Sequence, residues 1–121
     1  MKILICEDSH TTALDLWWLL HELGHTVCGI AQTRLDGLEK VARTGPDLVM
    51  VDEDIEGGQG RDLVEALSRS GIPAVILSGD LPSVAWVTSA KAVLPKPFSE
   101  RSLVSVMARV ERSLGAAELA V

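Results

Sequence analysis

Four charged residues of this 121-residue chain fall where chemistry is possible. Glu7 and Asp8 end an apolar run over Lys2–Cys6, Asp52 ends a second that begins at Asp47, and Lys96 follows a third, Ala92–Pro95, with Pro97 after it. Short apolar runs bounded by turn signals read as buried parallel strands. Open α/β sheets bind ligands outside the carboxyl ends of their strands. Three acids and one lysine are therefore expected at one edge of one sheet. Close carboxylates repel unless a cation lies among them, so the set predicts a Mg2+ site beside a reactive group.

The elements that must position these groups alternate. Strands are expected at Lys2–Cys6, Thr26–Ala31, Leu48–Val51, Ala74–Leu77 and Ala92–Leu94, and helices at Thr11–Leu23, Leu35–Arg43, Arg61–Arg69, Ser83–Ser89 and Ser99–Leu114. Strict βα alternation is the signature of a doubly wound parallel sheet with helices on both faces. Ser9 or His10 and Ser99 stand where helices start, and Gly24 and Gly71 where they stop. The tail from Gly115 to Val121 either extends the last helix or frays.

Composition narrows the classes. The chain has the length of one domain, with 47% hydrophobic residues and no apolar stretch long enough to span a membrane. No signal peptide is visible, so a soluble, cytoplasmic protein is expected. The net charge of −6 argues against nucleic acid as the direct partner. Cys6 and Cys28 read as reduced core thiols. His10, His21 and His25 have no partner at metal-ligand spacing and read as surface groups.

With these residues in place, the chain resembles the receiver domain of two-component response regulators from Lys2 to about Arg112. The carrying motifs are Glu7-Asp8, the run Pro46–Asp52 with Gly60, Val75–Gly79, and Leu94-Pro95-Lys96-Pro97-Phe98. The resemblance implies a flavodoxin-like sheet of order 2-1-3-4-5, and a single receiver domain over residues 1–121 with no output domain. It implies that Asp52 is the phosphoacceptor and that Ser78 and Lys96 contact phosphoryl oxygens. It assigns Mg2+ to Asp8, Asp52 and the Asp54 backbone carbonyl, with Glu7 acting mainly through water. The expected phosphodonor is a histidine kinase or a histidine phosphotransfer protein, and the expected chemistry is limited to the domain's own phosphorylation and dephosphorylation. The segments Glu7–Gly24 and Gly29–Ala31 also resemble receivers of bacterial general-stress signalling. Taken singly, each site residue has a plainer reading: helix-start acids, a turn aspartate, a loop lysine, a turn hydroxyl. One site explains all of them together.

Four features depart from the family's pattern. Glu56 stands where a proline is usual, in an acidic, glycine-rich loop that is expected to be more flexible. Asp80 adds an acid near the mouth of the site. Val93 replaces the usual aromatic three residues before the lysine. The stretch from Ser78 to Lys96 is about one helical turn short, and Pro82, Val84, Val87 and Thr88 weaken its helix, so a short or distorted fourth helix is expected.

Finally, if Leu16, Leu19, Leu20 and Leu23 face the sheet, Leu14, Trp17, Trp18 and His21 form a second, outward stripe. Exposed tryptophans mark partner surfaces. A homodimer through the first helix or docking of a kinase or phosphotransfer protein fits it. Two other functions stay open: a receiver-fold binding module acting without phosphorylation, and a metal-dependent phosphohydrolase using Asp54 as acid/base two residues after Asp52. The latter lacks a cap or a substrate-sized insertion.

Overall fold

The structure is a computed structural model that describes residues 1–84 and 87–119, with side chains up to residue 115. In chain order the elements are β1 (Lys2–Cys6), α1 (His10–Glu22), β2 (Thr26–Ala31), α2 (Arg34–Thr44), β3 (Leu48–Asp52), α3 (Gly60–Arg69), β4 (Ala74–Ser78), α4 (Leu81–Val84), β5 (Ala92–Pro95) and α5 (Glu100–Leu119). The strands form one parallel sheet in the order β2-β1-β3-β4-β5.

Strand side chains alternate between faces, and the core divides accordingly. Ile3, Ile5, Met50 and Leu77 pack against Leu16 and Leu20 of α1 and Leu103, Met107 and Val110 of α5. Leu4, Cys6, Val51 and Ile76 pack on the other side with Leu63, Val64 and Leu67 of α3. On that side α2 comes close enough that a Cβ on Gly37 would lie 3.0 Å from the Cys6 sulfur. Burial pushes the Cys6 thiol up to about 12, with the Asp36 charge adding to the rise, so it is a core group. Cys28 is only half-buried, and its Sγ donates to Thr44 Oγ1 at 3.4 Å.

Helix ends follow local chemistry. Ser9 Oγ accepts from the Thr12 backbone N–H and Ser99 Oγ from that of Ser102, each tying down a donor left free at a helix start. Gly45, at φ +58, closes α2 in the left-handed conformation.

Among the described residues the fourth helix is one turn, Leu81–Val84, and it begins two residues before its expected start. Pro82 then lies in the first turn, where its missing N–H costs nothing. Val87, Thr88 and Ser89, expected to be helical, are not; residues 85 and 86 of that expected helix lie outside the described residues. α5 runs past Leu114 to Leu119, so the tail extends the helix that far.

Candidate functional site

Strand register brings the site together. Cys6 pairs with Val51, Asp52 with Leu77 and Ser78 with Pro95. The next residues continue the ladders: Glu7 N–H donates to Ala31 O at 2.9 Å, Glu53 N–H to Leu77 O at 2.9 Å and Lys96 N–H to Ser78 O at 2.8 Å. Among the described residues the buried polar or charged ones are Glu7, Asp52, Glu53 and Ser78, at 1%, 2%, 6% and 1% exposure, and all four lie at this edge.

Asp8 is exposed at the mouth, and one carboxylate oxygen from each of Glu7, Asp8 and Asp52 lies within 4.8 Å of the others. Lys96 Nζ donates to Glu7 Oε2 and to Asp52 Oδ1, both at 3.0 Å. Backbone N–H groups supply more: Ser9 donates to Glu7 Oε1 at 3.2 Å, and Asp54 to Asp52 Oδ1 at 3.1 Å. Burial pushes the Glu7 carboxyl above its ordinary value despite the Lys96 hydrogen bond, and the Asp52 charge adds to the rise. Burial also disfavours the Lys96 ammonium, but its hydrogen bonds to Glu7 and Asp52 outweigh that and hold it above its ordinary value.

The donors are hard oxygens, the type that Mg2+ takes. With every group ionised, the three carboxylates and Lys96 leave two negative charges, the complement of a divalent ion. The Asp54 carbonyl, expected to be a further ligand, accepts from Gly57 N–H at 3.0 Å; its second lone pair remains for another partner.

The loop after β3 is more tightly tied than its glycines suggest. Ile55 is fully buried, and its carbonyl accepts from the N–H groups of Gly58 at 3.2 Å and Gln59 at 2.8 Å. Glu56 has φ +49, a conformation closed to proline, whose ring fixes φ near −65°. That explains its departure from the usual residue. Its Oε2 accepts from the Arg34 backbone N–H at 3.3 Å, and Arg34 Nε donates to Gln59 Oε1 at 3.1 Å, which fastens the loop to α2. Gly60 opens α3 so close to the site that a Cβ there would lie 2.1 Å from the Asp52 carbonyl oxygen and 2.7 Å from Glu53 Cα.

Ser78 lies beside the acids as expected, yet its hydroxyl faces a carboxylate that the residue pattern did not single out. Ser78 Oγ is 2.9 Å from both Glu53 Oε1 and the Asp80 carbonyl oxygen, and it accepts from Asp80 N–H at 3.0 Å. Ser83 Oγ lies 2.5 Å from Glu53 Oε2 and 2.7 Å from Asp80 O. Arg61 Nε is 3.8 Å from Glu53 Oε2. The available signal was positional: an acid directly after a buried strand must find partners or reach water. Asp54 and Asp80 are exposed and line one cleft with Glu53 and Ser83. Val93 is half-buried against the α3 side of the core.

The α1 stripe is exposed, with Leu14 at 44%, Trp17 at 37% and Trp18 at 56%. Trp17 stacks on His21 with ring centroids 5.7 Å apart. A hollow of about 450 Å³ runs beside Trp18 to Lys96, Pro97 and Phe98, linking this face to the site. His25, expected at the surface, is half-buried, and its Nδ1 lies 3.0 Å from the Met1 amine. Burial and that amine's charge lower its pKa.

Comparison with known proteins agrees with this geometry. A family model described as the response regulator receiver domain matches residues 3–108. The chain is 29% identical over 119 residues to the phyllosphere-induced regulator PhyR of Methylorubrum extorquens, covering 89% of this chain and 42% of PhyR. It is 32% identical over 108 residues to the transcriptional regulatory protein PdtaR of Mycobacterium tuberculosis, covering 85% of this chain and 53% of PdtaR. The chain thus spans about half the length of the curated relatives it matches. Its fold matches the crystal structure of PhyR from Brucella abortus with a TM-score of 0.89 at 24% identity, over 98% of this chain and 51% of that one. Among the described residues no helix is long and apolar enough to cross a membrane.

Proposed function

This chain belongs to the response regulator receiver domain family, and from that premise we propose that it takes a phosphoryl group on Asp52 and signals through protein contacts in the cytoplasm. The donor is a histidine kinase or a histidine phosphotransfer protein. An Asp52 carboxylate oxygen attacks phosphorus, a P–O bond forms, the P–N bond breaks, and the histidine nitrogen leaves with the electron pair. The chain performs no chemistry beyond gaining and losing this group. The observation that carries the reading is the concentration of buried polar side chains at one sheet edge, around an aspartate already bonded to a lysine.

Transfer of this kind depends on positioning and charge stabilisation. Lys96 shifts from Asp52 to an incoming phosphoryl oxygen, as a compact ammonium on a flexible stem can. Ser78 donates to a second oxygen. Glu7, Asp8, Asp52 and the Asp54 carbonyl would hold Mg2+, which when bound neutralises the repulsion between carboxylate and phosphoryl oxygens.

The test is incubation with Mg2+ and acetyl phosphate, read by intact mass, with Asp52→Asn as control. A Mg2+-dependent gain of one phosphoryl group that requires Asp52 is expected, and its decay separates a short-lived phosphate sink or shuttle from a lasting switch. The engagement of Ser78 by Glu53 and the absence of an aromatic at Val93 favour one second reading, a binding module that acts without phosphorylation; no mass gain from acetyl phosphate or from any kinase would select it. The exposed stripe of Leu14, Trp17, Trp18 and His21 is the proposed partner or homodimer surface. Unchanged sedimentation and phosphotransfer in the Trp17→Ala, Trp18→Ala double variant would remove that assignment.

A further inference from the structure

Glu53 is a buried carboxylate with no part in the transfer chemistry just described. Its side chain bridges the end of β4, through Ser78, and the single turn of α4, through Ser83. Its backbone is fixed on both sides. Glu53 N–H donates to Leu77 O at 2.9 Å and its carbonyl accepts from Gly60 N–H at 3.2 Å. With the main chain tied at both groups, the side chain is the part of Glu53 free to change.

The hydroxyl count decides what happens when Asp52 is modified. Ser78 has one hydroxyl proton. It can be donated to Glu53, to the Asp80 carbonyl that lies equally close at 2.9 Å, or to a phosphoryl oxygen, and each choice takes it from the others. Ser83 has a second acceptor in place, the Asp80 carbonyl at 2.7 Å, so its hydroxyl stays bonded if Glu53 leaves. Glu53 has no such reserve on Ser78, and a phosphoryl group on the adjacent residue would add a like charge beside it. An exit exists. A cleft of about 250 Å³ adjoins the carboxylate, lined by Asp54, Gly58, Arg61, Gly79, Asp80 and Ser83. The Arg61 guanidinium on that side already lies 3.8 Å from Glu53 Oε2.

We propose that Glu53 is a positioning residue that holds Ser78 and the α4 turn until a phosphoryl group on Asp52 takes the Ser78 hydroxyl, an inference that rests on Asp52 as phosphoacceptor. Loss of Ser78 then frees Glu53 to swing into the cleft, and α4 loses its tie to β3. In the unmodified protein Glu53 competes for the hydroxyl that phosphorylation needs, so it slows phosphorylation as well as transmitting it.

The test uses the whole chain as wild type, Glu53→Gln, Glu53→Ala and Asp52→Asn. Phosphorylation by acetyl phosphate with Mg2+ is followed by intact mass. Amide NMR shifts of Asp80 and Ser83 are recorded before and after Mg2+ and beryllofluoride, a stable stand-in for the phosphoryl group. Removing the competing acceptor in Glu53→Ala should speed phosphorylation roughly fivefold, with a smaller gain in Glu53→Gln, whose amide oxygen still accepts from Ser78, whereas a purely structural role for Glu53 would slow it. In unmodified Glu53→Ala the Ser83 amide should already lie near where beryllofluoride places it in wild type, and the Asp80 amide should have shifted only part of the way, because its bond to Ser78 Oγ persists until beryllofluoride takes that hydroxyl. Slower phosphorylation, or wild-type amide positions in unmodified Glu53→Ala, would overturn the proposal. If Glu53→Ala does not fold, Ser83→Ala cuts the same tie from the α4 side and should give the same Asp80 shift. A wild-type protein that takes neither phosphoryl group nor beryllofluoride overturns the phosphoacceptor reading and with it the trigger. The shifts of the unmodified variants would still show separately whether Glu53 holds α4.

Discussion

Glu7 and Glu53 are two glutamates in nearly the same situation, resolved in opposite ways. Each directly follows a central strand, each is buried at the same sheet edge, and each flanks Asp52. Glu7 is satisfied by charge, with Lys96 Nζ on one oxygen and a backbone N–H on the other. Glu53 is held by two hydroxyls, each with another acceptor within reach, and has its cation, Arg61, only at a looser 3.8 Å. An ion pair inside a partly closed site leaves a large unmet charge if either partner goes. A hydroxyl that can turn to another acceptor stays bonded itself, and the carboxylate it leaves has a cleft beside it in which to reach water. The first arrangement suits a permanent site, and the second suits a contact that is made and released.

Substitutions can break or sharpen this contrast. The largest effect is expected from Gly60→Ala, which breaks both halves: the added Cβ meets the Asp52 carbonyl and the Glu53 backbone together. Overpacking against main chain should cost about 3 kcal/mol or more, read as a lower urea midpoint. Lys96→Met breaks only the Glu7 half. The Lys96 side chain is 24% exposed, so the loss falls below that of a fully buried pair, about 2 kcal/mol. It should shrink as pH falls and the Glu7 carboxyl, held above its ordinary value, protonates.

Glu7→Gln sharpens the contrast, because the Glu7 carboxyl lies above its ordinary value in the fold. A raised carboxyl favours the folded state only in its protonated form. Its ionisation therefore costs stability as pH rises from the unfolded value of about 4.3 through the folded one. Without metal, Glu7→Gln should melt higher than wild type at pH 7 in EDTA, and the gap should close at pH 4. The reverse order would show that Lys96 more than offsets the burial. The smallest effect is expected from Ser83→Ala on the Glu53 side, about 1 kcal/mol. A loss as large as that of Lys96→Met would erase the distinction between the two glutamates.

Much of the architecture was legible because it depends on period and position. Apolar runs ending in Asp8, Asp52 and Lys96 announce strand ends, and parallel register then gathers those ends without further information. Leu14, Trp17 and Trp18 fell outward because their spacing left them no core to face. What stayed hidden depends on rotamers and single dihedrals. Nothing in an acidic loop separates Glu53, turned inward onto two serines, from Asp54, turned to water. Glu56 could be seen to depart from a proline pattern, but only its φ of +49 explains why. The α4 start differs from the expected one because Pro82, a breaker inside a helix, is tolerated in the first turn it occupies.

The brevity of α4 has a mechanical consequence. A long helix acts as a lever, carrying a small displacement at its base to a distant tip. The four described residues of this helix measure about 6 Å, too short to have a tip in that sense. Whatever moves at Ser83 must therefore be felt by a partner leaning close to the sheet edge itself, so that sensing and reading share one neighbourhood instead of opposite ends of a rod.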